Sequence, residues 1–288
     1  MASAAPATAA NRTGARRIRC LARSVRETRE TLRHTFDSAA DLYEAARPSY
    51  PEELFDELID LAEIAAGARI LEIGCATGKA TRPLLERGFS IVCVELGAQL
   101  AEQARRNLAA FRIEIHVCPF EAWTAEAGTF DLVFAATAWH WLDPAVRYQK
   151  AHRLLRPDGH VAFWGAAHAF PANFDPFFSE IQEVYDSIGE THEEPWPPPP
   201  PEQMPDESAE IEASGLFTDV HVRRYVWEQL YGVEEYIALL ETFSGHIAME
   251  PTKRERLYRE IRERIGRRHD GRVRRHWYSI LHVARRKP

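Results

Sequence analysis

The sequence predicts an α/β fold with a mostly parallel sheet covered by helices on both faces. Three observations carry that expectation. Between residues 69 and 165, short apolar runs alternate with segments of helical periodicity. The apolar runs lack strict in-and-out alternation, as strands buried on both faces do. The first run ends in a loop with Gly74 and Gly78 and leads into a helix, the usual exit from a parallel strand toward a ligand edge.

Taken in order, residues 52–65 place Leu54, Leu58, Leu61 and Ile64 at helical spacing with acids between them, and Pro51 precedes Glu52 and Glu53 as at a helix start. Residues 69–74 read as a strand and 79–87 as a helix, with Pro83 tolerated because it falls near the first turn. Strands follow at 89–95, 113–117, 130–136 and 160–165, with helices at 98–108 and 144–155. Residues 166–215 break the rhythm and read as an insertion, with a helix near 174–188 and a stiff exposed connector around the proline run 197–201. A docking ligand for another domain is the alternative for that run. A strand at 220–227, helices at 233–243 and 253–267 and a last strand at 272–283 complete the chain. In the second of these helices Leu257, Ile261 and Ile265 form a stripe, and Glu255–Arg259, Glu260–Arg264 and Glu263–Arg267 are spaced as ion pairs.

Composition bounds the function. The 288 residues are 45% hydrophobic and 27% charged, ordinary values for a globular protein. They suit one domain over 26–288 preceded by a small, Arg-rich, acid-free leader at 1–25. That leader reads as disordered, with a transit address as the alternative. No apolar run is long enough for a membrane span, and a secretory signal is not expected. Cys20, Cys75, Cys93 and Cys118 have no metal or disulfide spacing and read as reduced thiols of a cytoplasmic protein. The net charge is −7, but residues 251–288 carry net +10 and residues 27–250 net −23. An acidic body argues against nucleic acid as the ligand, and the basic end reads as a solvated helix face. The 12 histidines show no metal spacing, and no metal is expected.

The chemistry concentrates at Glu72, Gly74, Ala76 and Gly78, with Glu95 ending the second strand. Glycines there let the chain turn sharply and let a ligand approach backbone N–H groups. The dinucleotide spacing G-x-G-x-x-G is absent, and Glu72 would repel a pyrophosphate while attracting a cation. Glu95 is positioned to accept from ribose hydroxyls. The combination predicts a nucleoside-containing ligand.

The stretches ILEIGCATGKAT, VCVEL, FDLVFAATAWHWLD and RLLRPDGHVAFW resemble class I S-adenosylmethionine-dependent methyltransferases, and specifically the small-molecule branch that includes trans-aconitate methyltransferase. The resemblance covers roughly residues 34–165. It implies a Rossmann-like, seven-stranded sheet with an antiparallel last hairpin, S-adenosyl-L-methionine as cofactor, and a small-molecule acceptor. It also implies a monomer or homodimer with no membrane partner.

By this resemblance Glu72, Gly74, Ala76 and Gly78 hold the methionine part of the cofactor. Ala76 stands where the family has a glycine. Glu95 takes the ribose and Leu96 lies beside the adenine. Pro119 occupies the usual acidic position at the third strand, so adenine contact falls to Phe120, a backbone N–H or Glu121. Phe120 and Trp123 as plain core aromatics are the alternative. Ala136 ends the fourth strand at the cofactor. His140, between Trp139 and Trp141, reads as a general base or as a packed histidine, and the two tryptophans as acceptor walls. Phe36, Tyr43, Arg47 and Tyr50 resemble a segment lying over the cofactor, with Arg47 meeting an acidic substrate, the cofactor carboxylate or a surface partner. The rival functions are a non-catalytic nucleoside-cofactor-binding protein and a nicotinamide-dependent oxidoreductase.

Overall fold

The computed structural model describes residues 40–190 and 196–288. The expectations for the leader and for Phe36 lie outside the described residues. Helices α1 (Ala40–Ala46) and α2 (Glu52–Leu61) lead into β1 (Arg69–Ile73), α3 (Thr81–Glu86), β2 (Ser90–Glu95), α4 (Ala98–Asn107), β3 (Glu114–Val117) and β4 (Phe130–Ala136). A short 3-10 turn at Trp139–Trp141, α5 (Arg147–Leu154) and β5 (Leu155–Trp164) follow. Strands β1 to β5 run parallel in the order β3-β2-β1-β4-β5.

The unbroken apolar strands have a direct physical cause. Along β4, Leu132 and Phe134 face one core with α2 and α3, while Val133 and Ala135 face another with α5. Both faces are covered, so both must be apolar. Pro83 is the third helical residue of α3, where its missing N–H leaves no partner unsatisfied. Helix α5 begins at Arg147 rather than at 144, because Asp143 accepts backbone bonds from Val146 and Arg147 in a preceding turn.

Beyond β5 the sheet continues with β8 (Arg272–Arg286), antiparallel to β5, and with the short β6 (Ala167–Ala169), which also pairs with β8. Strand β7 (Phe217–Gly232) pairs antiparallel along nearly the whole of β8. The sheet thus holds eight strands, the additional one being β6. Strand β7 is about twice its expected length. Its side chains alternate between half-buried and exposed, so hydrophobicity does not mark its ends; the length of β8 does.

Only residues 282–285 of β8 pair with β5; its first half runs past the ends of the parallel strands. That overhanging ribbon carries a cap. Helices α6 (Phe177–Ser187), α8 (Val233–Leu240) and α10 (Pro251–Gly266) pack on it through Phe177, Ile181, Leu239, Leu257, Ile261, Ile265 and Trp277, a third core separate from those of the sheet. Two shorter helices, α7 (Ser208–Ala213) and α9 (Ser244–Ala248), complete the described elements. The segment 166–215 is therefore largely structured. Its proline run is half packed: Trp196 lies edge-on to Phe170 at 4.7 Å and Pro201 is buried. On α10, Arg264 pairs with Glu260 and Arg267 with Glu263, whereas Glu255 and Arg259 do not meet.

Asp175 pins the cap to the ribbon. Its buried carboxylate takes both guanidinium arms of Arg268, at 2.9 and 2.8 Å, and accepts the backbone N–H groups of Phe177 and Arg274 at 3.0 Å each. Replacing it strands a cation and two N–H groups. Asp175→Ala is expected to lower stability by about 2–4 kcal/mol in chemical denaturation. A loss within the noise of a surface mutation would show that the cap does not depend on this carboxylate.

Candidate functional site

The carboxyl ends of β1, β2 and β4 open on a cavity of about 320 Å3. The loop after β1 forms one wall. Gly74 has φ +74°, and a Cβ there would stand 2.6 Å from that of Ala138, so only glycine lets the two strand exits approach. Gly78, at φ +92°, faces away from the cavity. A Cβ on it would meet Leu108 at 2.8 Å, so its task is to seat the loop on α4. Between them Ala76 holds φ +47°, a left-handed conformation that an alanine adopts only under strain.

What holds Ala76 there is Glu95. One carboxylate oxygen accepts the Ala76 N–H at 2.8 Å and the other accepts the Gly97 N–H at 2.8 Å. Glu95 is thus more than a ligand-facing acid: it ties the loop after β1 to the loop after β2. Leu96 and Leu100 continue this wall, and Phe120 with Cys118 closes it beyond β3. The ammonium of Lys150 fastens the Phe120 turn by donating to the carbonyls of Phe120, at 2.5 Å, and of Glu121, at 3.1 Å, and to that of Trp123.

Glu72 sits one layer deeper. It is buried, accepts the Thr81 hydroxyl at 2.6 Å, and leaves its other oxygen without a partner among the described residues. It borders a small niche beside the main cavity, shared with Gly74, Ala76, Tyr43 and Arg47. Burial pushes its carboxyl up to about 8, so it is protonated at neutral pH.

The exit of β4 supplies the opposite wall through Ala136, Thr137, Ala138, His140, Trp141 and Leu142. Thr137 is a second strained residue, at φ +55°; its hydroxyl pairs with that of Tyr50 at 2.7 Å and its N–H donates to the Trp164 carbonyl at 2.7 Å. His140 is exposed on the rim, its ring 4.8 Å from that of Trp141. Trp139 departs from its expected position as an acceptor wall. It is buried on the far side, stacked on Phe163 at 4.9 Å and edge-on to Tyr148, with Arg147 donating to its carbonyl at 3.0 Å. A three-residue 3-10 turn cannot present residues 139 and 141 to the same space. Glu121 is likewise absent from the cavity wall and accepts the Asp143 N–H at 3.1 Å. Trp123 packs against Phe130 in the core.

Tyr43 of α1 and Arg47, just after it, form the roof. Arg47 is no surface ion pair. It is half-buried, lies over the Phe243 ring at 4.2 Å, and donates to the Thr242 hydroxyl and carbonyl, each at 2.8 Å. It staples α1 to the end of α8. Phe243, Ser244 and Ala166 complete the lining. These had no signal in sequence, because they arrive from the cap and touch the site only through the ribbon. Thr137 and Ala138 lie inside a stretch already prominent and were legible as its next residues. Among the described residues no cluster of metal-ligating side chains is found, and no helix is long and apolar enough to cross a membrane.

The fold and this site define a class: the α/β Rossmann-like fold of methyltransferases, mostly parallel with antiparallel strands near the C-terminus. Residues 70–159, from the first strand to the start of the fifth, match the family described as "Methyltransferase domain". An uncharacterized methyltransferase of Mycobacterium bovis is 35% identical over 134 residues, which is 46% of this chain and 53% of that protein. The chain thus spans about half the length of this relative. A structure from Anaeromyxobacter dehalogenans, provisionally described as a type II methyltransferase, superposes with TM-score 0.59 at 22% identity, over 83% of this chain and 97% of that one. The phosphoethanolamine N-methyltransferase 2 of Haemonchus contortus, solved with phosphomonomethylethanolamine and S-adenosylhomocysteine, gives TM-score 0.50 at 17% identity, over 88% of this chain and 58% of that one.

Two outcomes test this geometry. Ala76→Gly removes left-handed strain, so it is expected to leave stability unchanged or raise it by up to about 1 kcal/mol, against the usual cost of introducing glycine. Thermal denaturation reads the sign. Glu72 binds a proton in the folded state up to about pH 8 but loses it near its ordinary 4.5 when unfolded. The folded state therefore holds the extra proton between those values, and this contribution to stability falls as pH rises through the window. Glu72→Gln is expected to flatten that decline, measured by denaturation across the same range.

Proposed function

We propose that this chain is an S-adenosyl-L-methionine-dependent methyltransferase acting on a small-molecule acceptor. The observation that carries the reading is the pairing of Glu95 with the strained Ala76 loop at the mouth of a cavity. That pairing lies within the segment that matches the methyltransferase domain. The residues present fit the cofactor. Gly74 and Ala76 leave backbone open to the methionine part at the cavity wall, and the apolar wall of Leu96, Leu100 and Phe120 suits a purine. S-adenosylhomocysteine in the Haemonchus enzyme is consistent with the same cofactor class.

When bound, S-adenosyl-L-methionine supplies a methyl group already activated on a sulfonium. The tasks left to the chain are orientation, exclusion of water and removal of a proton. Gly74 and Ala76 give backbone access to the methionine part, Gly78 shapes the turn, and Glu95 accepts from the ribose hydroxyls while anchoring the loop. Ala136 and Thr137 would line the cofactor's reacting end. His140, on the rim beside Trp141, would take the acceptor's proton on a ring nitrogen. Tyr43 covers the site, and Arg47 positions the α1 roof over it. Trp139 and Glu121 support this wall from behind. The acceptor belongs to the small-molecule class, as the resemblance of the sequence motifs to that branch of methyltransferases suggests. Buried thiols at Cys75 and Cys93 fit a reducing, cytoplasmic setting, and a monomer or homodimer suffices for the site.

Calorimetry with S-adenosylhomocysteine and with NADH separates this reading from a nicotinamide enzyme. Formation of S-adenosylhomocysteine over an acceptor panel separates it from a non-catalytic binding protein. Glu95→Ala is expected to weaken cofactor binding at least about tenfold, since it removes charge-assisted bonds on both the ligand and loop sides. Unchanged affinity would remove the ribose assignment. For His140→Ala, kcat is expected to fall by roughly 10²–10⁴ with cofactor affinity nearly unchanged. A variant that turns over normally would leave positioning as the whole mechanism.

A further inference from the structure

A second cavity, of about 580 Å3, lies within the cap. Its walls are largely rings and aliphatic side chains, among them Phe170, Phe178, Trp196, Tyr236 and Leu240, and Phe243 belongs to both this cavity and the first. Into these walls β8 delivers Arg275. Along that strand Val273, Arg275 and Trp277 share the face turned to the cap core, so the guanidinium is carried inward with its apolar neighbours and is only 6% exposed.

Among the described residues no carboxylate meets this guanidinium. Its Nε has no hydrogen-bond partner, and its one polar contact is a long 3.5 Å approach to the Tyr236 hydroxyl. The rings of Trp277 and Phe243 flank it at 4.4 and 5.4 Å. The nearby acids are engaged elsewhere. Glu228 faces Arg274 and His276 at 3.8 and 3.5 Å, and Glu190, in the cavity wall, is paired with Lys253 at 2.9 Å. The two wall histidines stay neutral: burial, and then the charge of Arg275, hold His168 well below its ordinary value and His246 down to about 4. His246 is further tied to the Tyr185 hydroxyl at 2.7 Å.

An arginine cannot shed its proton, so a buried guanidinium without a counter-ion is a costly arrangement unless something completes it. The contrast with Arg47, which also lies against Phe243, is informative. Arg47 has Thr242 to satisfy its donors and serves the architecture; Arg275 has its donors to spare. We propose that the cap cavity binds an acceptor with a carboxylate and an apolar body, the carboxylate taken by the planar fork of Arg275 and the body by the surrounding rings. With both wall histidines neutral, Arg275 is the single cation among the described residues lining this cavity, which matches a monoanion better than a phosphate dianion. Phe243 lines both cavities, so a molecule held here lies one ring from the first. Naming this ligand the acceptor rests on the methyltransferase reading; the binding of a carboxylate does not.

The test uses the full chain and calorimetric titration with aryl-alkyl and alkyl monocarboxylates, each beside its own primary amide and beside the matching alkyl or aryl phosphate. S-adenosylhomocysteine is titrated in the same preparation. At least one carboxylate is expected to bind roughly tenfold or more tightly than its amide and its phosphate. Arg275→Gln is expected to erase that preference while leaving S-adenosylhomocysteine affinity unchanged. Arg275→Met gives a second reading that does not need a ligand. If the cation serves binding, removing it from an apolar site leaves the melting temperature unchanged or raises it; if it is a structural tie, the melting temperature falls and the proposal is overturned. Equal binding of acid and amide in every pair, preference for phosphate, or a preference that survives Arg275→Gln each overturns it as well. Carboxylate binding without S-adenosylhomocysteine binding sustains the proposal and removes only the methyltransferase reading.

Discussion

The antiparallel strand β8 is the constraint on which the remaining architecture depends. It fills the place beside β5 through residues 282–285 and then runs beyond the parallel strands, paired with β7 over nearly its full length. A strand left to itself there would expose two rows of unpaired N–H and C=O groups. Pairing with β7 on one edge, and with β6 and β5 on the other, satisfies them. The overhang gives α6, α8 and α10 an apolar platform around Trp277. Asp175 then locks that platform by engaging Arg268 and the Arg274 N–H. The cap therefore exists because one strand is longer than the sheet it joins.

Below the cap, the loop after β1 is held in a strained state by electrostatics. The Glu95 carboxylate accepts the N–H of Ala76, which holds positive φ, and also the Gly97 N–H. Thr137, at the neighbouring strand exit, is strained as well and is held by Tyr50 and Trp164. Both strained residues line the same cavity, the usual location of such conformations. The buried carboxyl of Glu72, protonated beside them at neutral pH, adds a group whose charge responds to what occupies the niche.

Cap and loop meet at Phe243. It borders both cavities and touches the guanidinium groups of both Arg47 and Arg275. Two arginines against one ring have different surroundings: one satisfied by Thr242, the other without a carboxylate among the described residues. That difference separates an architectural cation from one available to a ligand.

The sequence by itself determined the parallel sheet and the glycine loop, because both are written locally. Double-sided burial forces contiguous apolar runs such as residues 130–136, and a strand-to-helix exit beside a ligand forces small residues at 74, 76 and 78. Gly74, Ala76, Glu95, Leu96, Phe120, Ala136, His140, Trp141, Tyr43 and Arg47 accordingly line the cavity that sequence pointed to. Tertiary structure alone decided which way Trp139 and Glu121 turn, since a single 3-10 turn and one backbone donor settle it within a few ångströms. It also decided the length of β7, which is set by its partner and not by its own alternation, and the burial of Arg275. In the sequence Arg275 is one of several arginines in a basic tail. That no carboxylate among the described residues meets it follows from strand parity and from helices that precede it in the chain, contacts that no local pattern encodes.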